Sequence, residues 1–257
     1  MPTMMTDNHL GSQAVLRDIR GLIRYHEILG VGGYPRTPAL ENFLRGPETR
    51  ASIPAPARAP AMPPVRPPDE TLAAIRARVE GCDRCGLHEH RSRIVFGQGN
   101  GEAGLMIVTG WPEREDEASG EPFSGADGEL LDKMLAAIGL DRARVYLTGL
   151  VKCRPDGKEG PAAEEVAACL PFLKQQIAAV APRVICAMGP PAARYLLQTD
   201  EPLVRLRGRF HSCRLDGDRT VRLMPTFHPA FLLRNQEMKH PCWQDLLMIQ
   251  RALRGRP

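Results

Sequence analysis

The chain has 257 residues, a formal net charge of +4, and hydrophobic and charged fractions of 43% and 25%. That is enough for one sizeable core plus an extra segment, and it is ordinary for a soluble globular protein. No apolar run approaches the roughly 20 residues that span a bilayer. Met1 to Asp7 show no basic region leading into an apolar stretch, so the expected compartment is the cytoplasm or nucleoid, with no membrane association.

In chain order, Val15, Leu16, Ile19, Leu22, Ile23 and Ile28 recur at near-helical spacing. They predict a short amphipathic helix from about Ala14 to Leu29, ending at Gly30 and the Gly32-Gly33 pair. Residues 1–45 form this N-terminal helical extension, which packs on the main domain or on a partner. Seven prolines interleaved with alanine and arginine lie between Pro54 and Pro68, so residues 46–68 read as an extended linker. The main domain, 69–257, opens with Asp69 as the expected N-cap of a helix over Glu70–Glu80.

From there apolar strands alternate with helices. The predicted strands are Gly104–Gly110, Val145–Val151, Arg183–Met188 and Val221–Met224. The predicted helices are Glu129–Ile138, Ala162–Val180, Pro191–Leu197 and Pro241–Leu253. This alternation predicts an α/β fold, a three-layer α/β/α sandwich around a central, mainly parallel four-stranded sheet. Ligands of such folds sit at the carboxyl ends of the strands.

Two groups of residues stand out. Arg205, Arg207, Arg209, Arg214, Arg219 and Arg222 cluster, either as a phosphate-binding stripe or as the charge of a solvated hairpin. Seven cysteines in a chain without an export signal point to metal binding or burial rather than disulfides. Cys82 and Cys85 form a C-x-x-C; Cys153 follows the second strand and Cys169 lies in the next helix. Four thiolates from neighbouring elements suit a tetrahedral zinc or a [4Fe–4S] cluster, and the competing reading makes Cys153 and Cys169 small buried hydrophobes. Cys186, Cys213 and Cys242 read as structural.

The stretch from Cys82 to about Arg254, some two-thirds of the chain, resembles the family 4 (iron–sulfur) uracil-DNA glycosylases. The resemblance rests on the C-x-x-C followed by Val95-Phe-Gly-Gln-Gly-Asn100. It continues through Gly120-Glu-Pro-Phe-Ser-Gly125 running into Gly128-Glu-Leu-Leu-Asp-Lys-Met134, and through Val145-Tyr-Leu-Thr148 with Val151-Lys-Cys-Arg-Pro155. Arg207-Gly-Arg-Phe-His211 and His228-Pro-Ala-Phe-Leu-Leu-Arg234 complete it.

The resemblance implies a base-excision repair enzyme, acting as a monomer on DNA that contains uracil or another damaged base. It implies a [4Fe–4S] cluster on Cys82, Cys85, Cys153 and Cys169, with a structural role beside a DNA-facing loop. His228 is expected to stabilise the departing uracil anion and Phe123 to stack on the flipped base. Arg207, Arg209 and Arg234 are expected to contact phosphates or the gap left by flipping.

Two positions depart from the family pattern. The family's acid after the first strand falls on Gly110 or Trp111 here, neither of which activates water. Glu113, Glu115 and Asp116 are the nearby carboxylates that could substitute. The family's uracil-reading asparagine is replaced by Gly149, which predicts a larger, less discriminating pocket. Three readings stay open: an active glycosylase, a non-catalytic DNA-binding module, and a glycosylase of altered base specificity with Trp111 in the vacated space.

Overall fold

The computed structural model describes residues 71–156, 160–215 and 219–255. The expected N-terminal helix, the linker and Asp69 lie outside these residues. The first described helix, α1 (Leu72–Glu80), begins two residues later than expected. Its cap is Thr71, whose hydroxyl accepts from the Ala74 N–H at 3.3 Å. Ile75 and Val79 of α1 are buried against Phe96 and Phe172, which fixes the helix end that carries Cys82 and Cys85.

The remaining elements follow in order. They are α2 (Leu87–His90), β1 (Gln98–Gly99), β2 (Leu105–Thr109), α3 (Arg114–Ser119), α4 (Ala126–Ala137), β3 (Tyr146–Gly149), α5 (Ala163–Val180) and β4 (Val184–Met188). Then come α6 (Pro190–Leu197), α7 (Leu203–Leu206), β5 (His211–Arg214), β6 (Thr220–Thr226), α8 (Pro229–Arg234) and α9 (Lys239–Leu253).

The sheet order is β1-β3-β2-β4-β6-β5. The four inner strands are parallel, as the apolar runs predict. The sheet nevertheless has six strands among the described residues, not four: β1 and β5 add antiparallel edges. Neither carries the apolar run of a buried strand. β1 is a two-residue Gln-Gly segment, and β5 (His-Ser-Cys-Arg) buries only Cys213. β5 and β6 make the arginine-bearing hairpin.

All of β2 is buried, because both faces of the sheet are covered. Met106 and Val108 point to a layer with Leu173, Ile177 and Val180 of α5 and Ala192, Ala193 and Leu196 of α6. Leu105 and Ile107 point to the opposite layer with Leu131 and Leu135 of α4 and Leu246 and Ile249 of α9. The period-two alternation thus feeds two separate cores, each buried Leu or Ile contributing about 1.5–3 kcal/mol. This is a three-layer α/β/α fold. No helix among the described residues is long and apolar enough to cross a membrane.

The chain passes from β2 outward to β3, then returns to the other side of β2 as β4. This reversal of direction opens a crevice at the carboxyl ends of the inner strands.

Candidate active site

Three strand ends converge on one cleft of about 190 Å³. The end of β2 supplies Thr109, Gly110 and Trp111, the end of β4 supplies Met188 and Gly189, and the end of β6 leads into His228. Pro190 and Pro191, the first residues of α6, complete the wall.

His228 caps α8. Its Nδ1 accepts from the Ala230 backbone N–H at 3.2 Å, so the neutral ring carries its proton on Nε2. Burial pushes the imidazole pKa down to about 4; Asp127 opposes that shift and Arg234 reinforces it. His228 is therefore neutral at physiological pH, with one donor nitrogen.

The Phe123 ring stacks on His228, with ring centroids 5.4 Å apart and planes 19° from parallel. Phe123 adopts a positive φ of 58°, a conformation disfavoured for a bulky residue. The surroundings hold it there. Arg142 donates to the carbonyls of Pro122 (3.2 Å) and Phe123 (2.7 Å). A side chain at Gly128 would overlap the Phe123 oxygen, which explains the glycine in the first turn of α4.

The acidic residues separate by task. Asp116 holds the loop: its two carboxylate oxygens accept the backbone N–H groups of Ser124 (2.7 Å) and Glu113 (3.0 Å). Glu117 ties α3 to the cysteine loop through Arg154 (2.7 Å) and accepts from the Ser92 N–H (3.1 Å). Glu115 does not line the cleft, whereas Glu113 does. Desolvation pushes the Glu113 carboxyl upward, with Asp116, Asp127 and Glu115 adding to the shift.

Gly110 and Trp111 are in the wall, but Gly149 is not among the lining residues. The Gly149 carbonyl accepts from the buried Lys152 ammonium at 2.7 Å, and a Cβ at 149 would stand 2.8 Å from the Val151 oxygen. Glycine at 149 thus avoids crowding the Val151 oxygen, and the same Cβ position lies 3.6 and 3.7 Å from Gly110 and Thr109, which do line the cleft.

The three arginines also separate. Arg234 is exposed at the cleft rim and Arg209 is exposed on its loop. Arg207 turns inward. It grips the fully buried Asp245 through two hydrogen bonds of 3.0 and 2.8 Å, bonds the Pro241 carbonyl and packs over Phe227. The phosphate contact expected of Arg207 is therefore corrected: its guanidinium is spent on closing the fold.

Cys82, Cys85, Cys153 and Cys169 line a second, small apolar cavity with Val79, Leu87, Val151 and Phe172. Arg91 donates to the Cys153 sulfur at 3.3 Å. Lys152, wholly buried next to Cys153, also bonds Thr148 at 2.7 Å, and burial lowers its pKa to about 8. Trp111 packs against the buried cluster of Leu87, Val151, Cys153 and Val166 and also lines the cleft, so one side chain borders both regions. Cys186, Cys213 and Cys242 are buried elsewhere, as expected.

Sequence reasoning missed two residues. Asp127, in the first turn of α4, lines the cleft beside His228. Leu233, next to Arg234, is an exposed large apolar side chain at 42%. Its place in the Phe-Leu-Leu-Arg run was the available signal.

Comparison with known proteins agrees with this geometry. The family model of the uracil DNA glycosylase superfamily matches residues 96–247. The type-4 uracil-DNA glycosylase of Pyrobaculum aerophilum is 38% identical over 182 residues, covering 69% of this chain and 92% of that protein. The type-4 uracil-DNA glycosylase of Thermotoga maritima is 36% identical over 181 residues, covering 69% and 92%. A type-5 uracil-DNA glycosylase of Pyrobaculum aerophilum is 29% identical over 174 residues, covering 62% and 75%. The matched span runs from Phe96 through every strand end that builds the cleft to His228 and α9, and the chain belongs to the uracil-DNA glycosylase superfamily.

Proposed function

We propose that the protein is a DNA repair glycosylase that hydrolyses the N-glycosidic bond of uracil flipped out of DNA. The observation that carries this reading is His228: neutral, fixed as the Nε2–H tautomer, and stacked on Phe123 in a cleft at the strand ends. Cleavage leaves negative charge on the departing base, and a pre-positioned neutral donor stabilises that charge. The flipped base enters between the Pro190–Pro191 wall and Phe123. Arg234 at the rim suits a phosphate contact, and the exposed Leu233 next to it in sequence suits an apolar wedge in the vacated stack.

The test is incubation of the purified protein with oligonucleotides containing uracil, hypoxanthine, xanthine or thymine, followed by alkaline cleavage of abasic sites. Strand scission at uracil is the expected outcome. Scission confined to another base favours altered specificity, and none at any base favours a binding module.

Cys82, Cys85, Cys153 and Cys169 would hold a [4Fe–4S] cluster. Their fit rests on four thiols around one apolar cavity, with a hydrogen-bond donor, Arg91, on one sulfur. Four thiolates from three neighbouring elements suit either a tetrahedral zinc or a [4Fe–4S] cluster, and the likeness to the type-4 glycosylases favours the cluster. Held there, the cluster would supply cross-linking, since Cys82 and Cys85 stand just past the end of α1, Cys153 in the loop after β3 and Cys169 in α5. Anaerobically purified protein is expected to be brown, with about four irons per chain. A Cys169→Ala variant is expected to lose most of that iron. Colourless protein carrying zinc would contradict the assignment.

A further inference from the structure

With Gly110 or Trp111 at the place where the resembled family carries its acid, another carboxylate of the cleft would have to receive the attacking water. The structure narrows the choice. Both oxygens of Asp116 are taken by backbone N–H groups, and those of Glu117 by Arg154 and the Ser92 N–H. Glu115 lies outside the cleft lining, which leaves Glu113 and Asp127.

These two differ in setting. Glu113 is a long, exposed side chain ahead of a one-and-a-half-turn helix, and its surroundings disfavour its charged form. Asp127 is short, partly buried, and mounted on the first turn of the twelve-residue α4. That turn follows directly from Phe123, whose ring stacks on His228, and α4 packs against α8, which His228 caps. Among the described residues the Asp127 carboxylate makes no hydrogen bond within the fold, and it faces the same space as His228.

We infer that Asp127 is the catalytic carboxylate of this enzyme, holding the attacking water against C1′ of the sugar. The inference rests on the glycosylase reading above. In the step it describes, the C1′–N1 bond breaks with its electron pair leaving on the base, whose oxygen is met by the His228 Nε2–H. Water forms the new C1′–O bond and passes its proton to Asp127. The products are free base and an abasic sugar, so no other reactant is required.

The experiment is single-turnover excision by the full-length, iron-loaded protein on uracil-containing single-stranded DNA. Asp127→Asn is expected to slow excision by about 10²-fold or more, while affinity for abasic-site DNA and iron content stay unchanged. Glu129→Gln, on an exposed position of the same helix, is expected to match the parent enzyme. A Cβ at Gly110 would meet only Pro191 carbons, at 3.5 and 3.7 Å, so the cleft accepts a side chain there. Adding Gly110→Asp to Asp127→Asn is accordingly expected to recover at least tenfold of the lost rate. An active parent enzyme with Asp127→Asn within threefold of it would overturn the role of Asp127 alone. A parent enzyme that excises no base would overturn the glycosylase reading and this inference together.

Discussion

His228→Ala is expected to lower the rate of uracil excision by about 10²–10³-fold while leaving affinity for abasic-site DNA within a few fold. In the proposed role the imidazole meets charge that exists only as the base departs, so its loss would fall on the chemical step rather than on binding. The Ala230 N–H on Nδ1 fixes the tautomer, and burial keeps the ring neutral down to about pH 4. A lowered imidazole pKa means that protonation is deferred to more acid solution. The parent enzyme's rate should therefore show no inflection near the ordinary histidine value of about 6.5. A single-turnover pH series on both proteins checks the two parts. Unchanged excision in His228→Ala, or a break near that ordinary value, would contradict the role of this ring.

The second large effect concerns stability. Arg207→Ala is expected to destabilise the fold by about 3–5 kcal/mol, because it leaves Asp245 buried without its cation. The Asp245 side chain is 0% exposed and that of Arg207 18%. Burial already pushes the Asp245 carboxyl upward, against the opposing pull of Thr226 and Arg207. Asp245 joins α9 to the end of β6 through a 2.6 Å bond from Thr226, two residues before His228. Thermal denaturation should register the loss as a drop of about 10 °C, given roughly 2–4 °C per kcal/mol for a domain of this size. Arg209→Ala, altered at an exposed position, should leave the melting temperature in place and weaken DNA binding in a salt-dependent way. The reverse pattern would return Arg207 to the DNA surface.

Sequence-derived signals differ in how far they reach. The inner strands were legible because each is a short apolar run between helical patterns, and both layers bury them. The edge strands were not: Gln98–Gly99 and His211–Arg214 take their strand character from their neighbours' hydrogen bonds rather than from their own side chains. His228 and Phe123 were singled out through the resemblance of Gly120–Gly125 and His228–Arg234 to a known family, and both line the cleft. Their 5.4 Å stacking came only from the fold.

Asp127 escaped notice for a physical reason. An aspartate in the first turn of a helix has a sufficient local explanation in the helix dipole. Only the packing of α4 against α8 brings it to the cleft. Arg207 misled in the opposite direction. An arginine in a glycine-containing loop reads as a phosphate ligand until a buried acid 38 positions later is found in its grip. At Gly149 a Cβ would stand 2.8 Å from the Val151 oxygen, a backbone constraint that the sequence pattern does not carry.

The central claim is that this cleft excises uracil with no acid at position 110 or 111. The most direct measurement is single-turnover release of uracil from a defined single-stranded oligonucleotide by the iron-loaded protein. Release that stops on replacing His228 is the result this account predicts. A well-folded, iron-loaded protein that binds the oligonucleotide and leaves every uracil in place would contradict it.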